Sequence, residues 1–412
     1  MKKLRVGILF GGRSGEHEVS LLSAASVLAA INRNKYEVVP IGITKEGRWV
    51  TAGDADLLLC PPENGGSLTT APGEQPSASG ESHLRAGDPR ATTSAAVLAR
   101  GEATLMPPQP GAGLIPFESD GTPYGQALAL DVVLPVLHGS FGEDGTIQGL
   151  LELAGIPYAG SGVLGSAAGM DKDVMKRLFA SAGLPIPRHV TLLRSAWQAG
   201  PAEAVAAVEE ALEYPLFVKP ANGGSSVGIS KAHDRGELKT ALEVAARHDR
   251  KLVVEQAVGG GPEGTGKARE LEVAVLGNDK PEASVVGEIV PAKEFYDYEA
   301  KYLSEGSIPV IPAQITEAQS EEIRAMALRA FGACDCAGLA RVDFLMEPGG
   351  GSGKSGRIYL NEINTLPGFT AISMYPKLWA ASGVPYPELI DRLIALALER
   401  AGERTATIYS RD

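Results

Sequence analysis

The sequence predicts an α/β protein whose N-terminal part is an open, mostly parallel sheet. Two observations indicate this class: strand-like and helical patterns alternate along the first 160 residues, and a glycine-rich turn at 11–15 separates the first such pair. The strand-like apolar runs lie at 4–10, 36–44 and 130–137, and the helical patterns at 16–31 and 148–153. Strand–helix–strand alternation is typical of parallel sheets covered by helices.

Each of these first elements follows from its own residues. The run 4–10 is almost continuously apolar, as expected of a strand that is buried on both faces. In 16–31, Val19, Leu22 and Val27 fall on one side of a helix. The runs 36–44 and 130–137 read as further buried strands, and 148–153 as a short helix.

From about residue 166 the pattern changes, and the second half reads as α+β. Predicted helices lie at 170–182, 201–213, 317–331 and 387–401. Predicted strands lie at 216–219, 252–256, 271–276, 284–290, 339–345 and 357–363. The helix at 170–182 is expected to end where Gly183 and Pro185 interrupt it.

Composition excludes several classes of protein. The chain has 412 residues and a formal net charge of −12, which argues against a general nucleic-acid binder. We expect two or three domains, since one domain takes roughly 150 residues. No stretch is long and apolar enough for a membrane helix, and the N-terminus does not resemble a signal peptide. The three cysteines, Cys60, Cys334 and Cys336, lack metal-type spacing, which favours a reducing, cytoplasmic location without disulfides.

A low-complexity stretch interrupts the first domain. Residues from about 61 to 127 are rich in Pro, Gly, Ser, Ala and Thr and poor in bulky apolar side chains. Such a composition buries little apolar surface to offset its ordering entropy. We therefore expect a surface insertion, and deletion of 64–112 is expected to leave catalysis largely intact.

The strongest local chemistry lies in the last pair of predicted strands. Residues two apart on a strand point to the same face, so Arg341 lies beside Asp343, and Glu362 beside Asn364. If the strands form a hairpin, one surface carries two carboxylates, an amide and a guanidinium. Hard oxygen ligands of this kind suit Mg²⁺. The alternative is a solvated polar face with cross-strand ion pairs.

Two lysines and a flexible loop suggest a nucleotide site without a Walker loop. Lys172 lies near the start of a predicted helix, and Lys219 ends a strand. The segment 222–228, Asn-Gly-Gly-Ser-Ser-Val-Gly, offers backbone N–H groups that could fold over a phosphate. Taken singly, each lysine is better explained as a solvated charge, and it is the combination of lysines and loop that favours a nucleotide site.

Two loops follow predicted parallel strands and should open into one crevice. The first, at 11–18, contains Glu16, which could hold a substrate ammonium group. The second, at 138–145, begins with His138. The alternatives are a helix N-terminal carboxylate for Glu16 and an ordinary turn residue for His138.

A third glycine-rich segment, 160–165, has the spacing G-x-G-x-x-G. This spacing occurs in NAD-dependent oxidoreductases, but a lone example is a weak signal. No strand ending in an acidic residue follows at the expected distance. A tightly packed connection between two domains is the favoured interpretation.

The quoted loops belong to a longer set of segments that run in order along the chain. These are GGRSGEHEVSLLSA (11–24), HGSFGEDGTIQGLLELAGIPYAGSGVLGSAAGMDK (138–172), FVKPANGGSSVGISK (217–231), YDYEAKY (296–302), GLARVDFLM (338–346) and LNEINTLPGFTAISMYP (360–376). In these segments the sequence resembles the D-alanine–D-alanine ligases of the ATP-grasp superfamily.

The resemblance implies a three-domain ATP-grasp fold with an N-terminal Rossmann-like domain. The expected domains are an N-terminal substrate domain at 1–165, a central subdomain at 166–254 and a C-terminal catalytic subdomain at 255–412. The insertion at about 61–127 departs from the family pattern, as do two extra glycine-rich loops at 259–266 and 349–356. All three lie between the motifs.

The implied activity is ATP-dependent ligation of two D-alanines through an acyl phosphate, for peptidoglycan precursors. The implied cofactors are two Mg²⁺ ions, with Mn²⁺ as a substitute, and the implied assembly is a homodimer in the cytoplasm. Partners are the small molecules D-alanine and ATP, with no nucleic acid and no membrane. The alternatives are another amino or hydroxy acid as second substrate, an ATP-binding module without activity, and the oxidoreductase mentioned above.

The resemblance also implies roles for individual residues in the nucleotide site. Lys172 and Lys219 would bind ATP phosphates, and Lys301 would bind the γ-phosphate. Glu255 would bind the adenine and Glu270 the ribose. The loop residues Gly224, Ser225 and Ser226 would close over the phosphates.

Further roles concern the two amino acids and the metal. Glu16 would bind the ammonium group of the first D-alanine, with His138 nearby, and Ser373 would bind the carboxylate of the second. The metal ions would be bound by Asp343, Glu362 and Asn364. Arg341 and the Gly368 N–H would stabilise the oxyanion. Tyr302, hydrogen-bonded with Ser225 and Glu16, would favour an amine as the nucleophile.

Overall fold

The computed structural model describes most of the chain as a mixture of helices and strands. The described residues are 2–51, 89–118, 120–259, 266–290, 308–348, 356–370 and 372–408. Among them, no helix is both long and apolar enough to cross a membrane.

The helices α1–α11 are, in chain order, His17–Ala30, Pro89–Arg100, Thr146–Ala154, Val163–Met170, Lys172–Ser181, Arg194–Ala199, Pro201–Ala211, Arg235–His248, Glu317–Ala333, Met374–Ala381 and Tyr386–Thr405. The strands β1–β15 are Leu4–Gly11, Tyr36–Ile43, Trp49–Thr51, Glu102–Leu105, Ile115–Pro116, Val132–Pro135, His189–Leu193, Leu216–Pro220, Ser230–Ala232, Lys251–Gln256, Arg269–Gly277, Glu282–Val290, Ile308–Val310, Gly338–Met346 and Ile358–Asn364.

The first sheet has the order β5-β4-β3-β2-β1-β6. Its inner part is parallel as predicted, since β1 pairs in parallel with both β2 and β6. The outer strands β3, β4 and β5 are antiparallel, which differs from a wholly parallel sheet. The tight turn from Thr44 to Arg48 explains the first reversal, because so short a connection can only join antiparallel strands.

Two further sheets confirm the α+β character of the second half. One has the order β7-β10-β8-β9 and the other β13-β12-β11-β14-β15, and every neighbouring pair in both is antiparallel. Buried apolar side chains form three clusters, one at each sheet. The C-terminal helix α11 packs against the first sheet, and Arg400 donates hydrogen bonds to the carbonyls of Tyr158 and Gly160.

The expectation of a surface insertion at about 61–127 is wrong for its second part. Helix α2 packs on α1, the Ser94 hydroxyl donates to the Leu21 carbonyl, and Val97 is fully buried. Strand β4 pairs with β3, with Val50 opposite Ala103. Few but well-placed apolar residues, rather than average composition, decide burial here. Residues 61–88 lie outside the described residues.

Because part of this segment packs in the core, we expect changes at its buried residues to lower the free energy of unfolding. The sequence alone predicts that even deletion of 64–112 would be tolerated. Met106 is 3% exposed and belongs to the core of the first sheet, whereas its neighbour Leu105 is 51% exposed. We expect Met106→Ala to lower the free energy of unfolding by about 2–5 kcal/mol. Leu105→Ala is the matched control, with little expected change. Urea unfolding of both variants tests this. Equal stability of the two variants would show that Met106 is not part of the core.

The segment 160–165 serves close packing. Gly162 immediately precedes α4, and a Cβ on Gly165 would lie 2.4 Å from the carbonyl oxygen of Asp335. This geometry supports the interpretation as a tightly packed connection. The glycine-rich stretch at 349–356 lies between the antiparallel strands β14 and β15 along the chain.

Candidate active site

A cleft of about 530 Å³ lies where the three sheets meet. It is lined by ten of the residues with roles implied by the sequence: Glu16, Lys172, Gly224, Ser225, Ser226, Arg341, Glu362, Asn364, Gly368 and Ser373. The structure therefore brings together residues from both ends of the chain, as expected for a single active site.

The predicted hairpin of polar strands is confirmed. Strands β14 and β15 pair antiparallel, with Asp343 opposite Glu362 and Arg341 opposite Asn364. Strand β11 lies on the other side of β14 and places Glu272 opposite Asp343. Three carboxylates thus form a row across three strands, with the Arg341 guanidinium beside them.

The guanidinium of Arg341 makes a bidentate ion pair within this row. Its Nε and Nη2 atoms donate to the two carboxylate oxygens of Asp343 at 2.7 and 2.6 Å. Its Nε atom also lies 3.4 Å from Glu272 Oε2. Arg341 is therefore held in a fixed orientation at the wall of the cleft.

The donor set fits Mg²⁺ better than zinc. Asp343, Glu362 and Asn364 offer oxygen atoms, and Mg²⁺ commonly takes one or two carboxylates and completes its shell with water and phosphate. Within the described ranges, no group of three or more His, Cys, Asp or Glu residues is arranged as a metal site. Each Asp343 oxygen accepts one hydrogen bond from Arg341 and keeps a lone pair that could bind a cation. The side-chain oxygen of Asn364, Oδ1, accepts a hydrogen bond from Leu366 N.

Lys172 is placed by a helix cap that the sequence reasoning missed. The predicted helix 170–182 is confirmed as α5, and the helix α4, which was not predicted, ends just before it at Met170. The Asp171 side chain accepts hydrogen bonds from the N–H groups of Asp173 and Val174 and so caps α5. Lys172 then points toward the loop 222–228 and donates to the Gly223 carbonyl at 2.8 Å.

Lys219 and Glu255 lie behind the cleft in a buried ion pair. The Lys219 Nζ to Glu255 Oε2 distance is 2.8 Å, on neighbouring strands β8 and β10. Lys176 Nζ lies 3.1 Å from the other carboxylate oxygen. Burial raises the pKa of Glu255, but the two ammonium groups outweigh it and lower the pKa to about 2. The carboxylate is therefore ionised at neutral pH.

Glu16 lies immediately before α1 and faces the loop that follows β8. The Ser225 hydroxyl donates to Glu16 Oε1, which joins positions 209 residues apart. Gly139 has a φ of +72°, and a Cβ there would lie 2.7 Å from Glu16 Oε2. A side chain at Gly139 would therefore displace the carboxylate that we expect to bind a substrate ammonium group.

His138 is buried, and both of its ring nitrogens contact the protein. Nδ1 lies 3.1 Å from the Leu366 carbonyl, and Nε2 lies 3.0 Å from the Ser23 hydroxyl. A carbonyl can only accept, so Nδ1 carries the proton and Nε2 accepts from Ser23. Burial lowers the pKa of His138, against the opposing charge of Glu16. The ring thus ties α1 to the segment after β15.

Glu143 is a buried acid that the sequence reasoning did not single out, although it stands in the quoted segment 138–172. It lines the cleft and accepts a hydrogen bond from Gly139 N at 2.8 Å. Burial, followed by the negative charge of Glu16, raises the pKa of Glu143 to about 8. Glu143 is therefore mostly protonated at neutral pH.

This shift predicts a pH dependence of stability. Between pH 4.5 and about 8 the folded chain holds a proton on Glu143 that the unfolded chain loses, so stability contributed by this group falls as the pH rises. In Glu143→Gln, which keeps the acceptor for Gly139 N, this decline should be absent. We expect the difference in Tm between variant and wild type to grow from pH 5 to pH 8. A constant difference would show that Glu143 is ionised throughout.

The last wall of the cleft is the turn between β15 and α10. Ser373 immediately precedes α10, and its hydroxyl oxygen accepts a hydrogen bond from Thr370 N at 3.0 Å. Gly368 and Lys377 line the same wall. Backbone N–H groups and a hydroxyl at a helix N-terminus suit an anion such as a carboxylate.

Some expected site residues lie elsewhere. Lys301 and Tyr302 lie outside the described residues. Glu270 is on β11. Burial alone would lower the pKa of Lys219, and Glu270 is one of the nearby carboxylates that raise it. Sequence reasoning missed Glu143, Glu272 and Lys176. Glu272 could have been found because it stands two residues after Glu270 and shares its face of the strand, and Glu143 because it stands in the quoted segment 138–172.

Models of two domain families together match most of the chain. The model described as "D-ala D-ala ligase N-terminus" matches residues 5–161, and the one described as "D-ala D-ala ligase C-terminus" matches residues 178–395.

Individual proteins are similar over their whole lengths. The D-alanine–D-alanine ligase of Bacillus cytotoxicus is 46% identical and that of Geobacillus thermodenitrificans 47%, with at least 99% of each chain covered. Among solved structures, the VanG D-Ala:D-Ser ligase from Enterococcus faecalis has a TM-score of 0.76 and 33% identity, covering 96% of this chain and 100% of its own. The D-alanine–D-alanine ligase from Coxiella burnetii has a TM-score of 0.76 and 31% identity, covering 98% and 97%.

Proposed function

Because this chain belongs to the D-alanine–D-alanine ligase family, we propose that the cleft joins two D-alanine molecules at the expense of ATP. The observation that carries the proposal is the convergence of Glu16, Lys172, Arg341, Glu362 and Ser373 on one cleft. The product D-alanyl-D-alanine serves peptidoglycan synthesis.

ATP is proposed to lie between the second and third sheets. Lys172 on α5 and Lys219 on β8 are close to the loop 222–228, whose backbone can close over phosphates. Glu255 offers a carboxylate to the adenine amino group, and Glu270 lies where a ribose could be bound. Lys301 is proposed to reach the γ-phosphate from outside the described residues.

In the first step, a carboxylate oxygen of the first D-alanine attacks the γ-phosphorus of ATP. The bond between that phosphorus and the β,γ-bridging oxygen breaks, so ADP leaves and an acyl phosphate forms. Glu16 holds the substrate's ammonium group, with Ser225 and Tyr302 in the same hydrogen-bond network. His138 contributes by fixing the wall of this subsite. The transfer depends mainly on positioning and charge neutralisation.

In the second step, the amine of the second D-alanine attacks the acyl carbon. The C–N bond forms, the oxyanion of the tetrahedral intermediate develops, and phosphate then leaves as the carbonyl reforms and the amine loses a proton. Arg341 and the Gly368 N–H are placed to stabilise this oxyanion. Ser373 is proposed to bind the second carboxylate.

Mg²⁺ is the metal that ATP-grasp enzymes of this kind require, and when bound it neutralises phosphate charge. Glu362, Asn364 and Asp343 are the side chains proposed to hold it. Two ions, with Mn²⁺ as a substitute, remain our proposal, since one carboxylate row and a triphosphate offer enough oxygens for both.

We also infer a homodimer. Leu153 on α3 and Leu164 on α4 are 62% and 65% exposed, and an exposed pair of leucines on contacting helices supports a protein contact. A monomer in sedimentation velocity at micromolar concentration would contradict it. The use of ATP supports the expected cytoplasmic location.

An ADP-release assay with paired substrates tests the function. We expect ADP formation with D-alanine and little with L-alanine. Because the similar VanG protein is a D-Ala:D-Ser ligase, D-serine and D-lactate should be offered as second substrates with D-alanine present. Product analysis by mass spectrometry identifies the dipeptide. Faster ligation of D-serine or D-lactate than of D-alanine would overturn the assignment of the second subsite.

A further inference from the structure

Lys176 is a charged residue at the centre of the molecule to which the proposed reaction assigns no role. It is 0% exposed and lies on α5, one turn after Lys172. Its Nζ atom lies 3.1 Å from Glu255 Oε1 and donates to the Asn361 carbonyl at 3.2 Å. A fully buried lysine is rare and costly, so this contact calls for a reason.

One carboxylate here stands between two lysines. Lys219 is 2.8 Å from Glu255 Oε2, and Lys176 is 3.1 Å from Glu255 Oε1. Glu255 is 3% exposed. Its Oε1 atom is buried, and the ammonium group of Lys176 is the partner that the described part of the chain places beside it.

Lys219 has two partners to serve in the proposed reaction. Without nucleotide it is paired with Glu255, and with ATP it must turn toward the phosphates. If Glu255 had no other partner, this movement would leave a buried carboxylate without a counter-ion, which is strongly unfavourable. A second lysine that stays beside Glu255 removes this obstacle.

We propose that Lys176 is a positioning residue that stays paired with Glu255 and so releases Lys219 to bind the phosphates of ATP. The inference rests on the proposed function, since that is what assigns Lys219 to phosphate and Glu255 to adenine. Lys176 itself touches neither substrate nor reacting atoms. Its carbonyl contact at Asn361 anchors it on the strand that carries Glu362, so the ammonium group does not follow Lys219.

The arrangement predicts which part of the nucleotide depends on Lys176. In Lys176→Met, Glu255 retains only Lys219, so Lys219 should remain on the carboxylate. Binding of a triphosphate should then weaken by about tenfold or more. Adenosine has no phosphates for Lys219 to bind, and its affinity should change far less. A general distortion of the pocket would weaken both ligands alike.

The experiment is isothermal titration of the full-length protein with AMP-PNP plus Mg²⁺ and, separately, with adenosine. Arg177→Met is the matched control, because Arg177 is the next residue and pairs with Asp173 at the surface. A double variant, Lys176→Met with Glu255→Gln, gives the second readout. The neutral amide no longer holds Lys219, so the ratio of AMP-PNP affinity to adenosine affinity should recover relative to Lys176→Met alone. The ratio is compared because Glu255 is also assigned to the adenine, which both ligands share.

The outcomes separate the inference from the function. Unchanged AMP-PNP binding in Lys176→Met, equal loss of AMP-PNP and adenosine, or no recovery in the double variant would each overturn the role of Lys176. If Lys176→Met does not fold, Lys176→Arg should bind AMP-PNP as the wild type does, and Lys176→Gln should reproduce the selective loss. A wild-type protein that binds AMP-PNP but releases no ADP with D-alanine would contradict the function and leave the charge argument standing.

Discussion

Glu362→Gln is expected to lower kcat by roughly 100-fold or more, because a metal-binding carboxylate contributes several kcal/mol to stabilisation of phosphoryl charge. Glu362 lines the cleft and lies opposite Asp343 on the neighbouring strand. Glutamine has the same shape but no charge, so the fold should be preserved while cation affinity falls. Steady-state ADP release measures kcat, and titration with Mn²⁺ followed by EPR measures the metal directly.

A matched control lies on the same hairpin. Glu347 follows β14, and its carboxylate accepts a hydrogen bond from the Tyr359 hydroxyl outside the cleft. Glu347→Gln should leave both kcat and Mn²⁺ affinity close to the wild type. Wild-type turnover in Glu362→Gln, with unchanged Mn²⁺ binding, would remove Glu362 from the metal site.

Arg341→Lys is expected to lower kcat by about 10²–10³-fold, the usual effect of losing one oxyanion donor. Lysine keeps the positive charge but cannot form the planar bidentate pair that Arg341 makes with Asp343. The orientation of the donor at the cleft wall is lost, while the KM for ATP should change much less than kcat. Single-turnover measurements with D-alanine separate the chemical steps from product release.

Arg269→Lys is the matched control for this prediction. Arg269 makes an equally close bidentate pair with Glu288 in the same sheet, at 2.7 and 2.6 Å, but does not line the cleft. Arg269→Lys should lower the stability of the sheet as much as the loss of a bidentate pair does at Arg341. It should leave kcat unchanged. If Arg269→Lys slows turnover as much as Arg341→Lys does, the loss of activity comes from distortion of the sheet and not from loss of oxyanion stabilisation.

The polar hairpin was predictable from sequence because strand geometry is local. Side chains two residues apart share a face whatever the rest of the chain does, so Arg341 with Asp343 and Glu362 with Asn364 followed from spacing alone. Their pairing across the strands agrees with the register in the structure. That Glu272 lies opposite Asp343 depends on the pairing of two strands whose paired residues are 71 positions apart in sequence, and local spacing does not predict such a pairing.

The segment 61–127 shows the opposite case. Its low-complexity composition indicated a surface insertion, yet Val97 and Met106 are buried in the first core. Composition averages over a window, whereas burial is decided side chain by side chain. The short outer strands of this sheet were missed for the same reason, since two to four residues produce no clear alternation.

The sequence by itself determined the order of the motifs, the family and the kinds of donor groups that reach the cleft, because these depend on residue type and short-range spacing. The tertiary structure alone decided their ionisation and their partners. Glu143 carries a proton, His138 has both ring nitrogens engaged, and Glu255 is held between two lysines. Burial and nearby charge set these states, and both arise only when segments far apart in the chain are packed together.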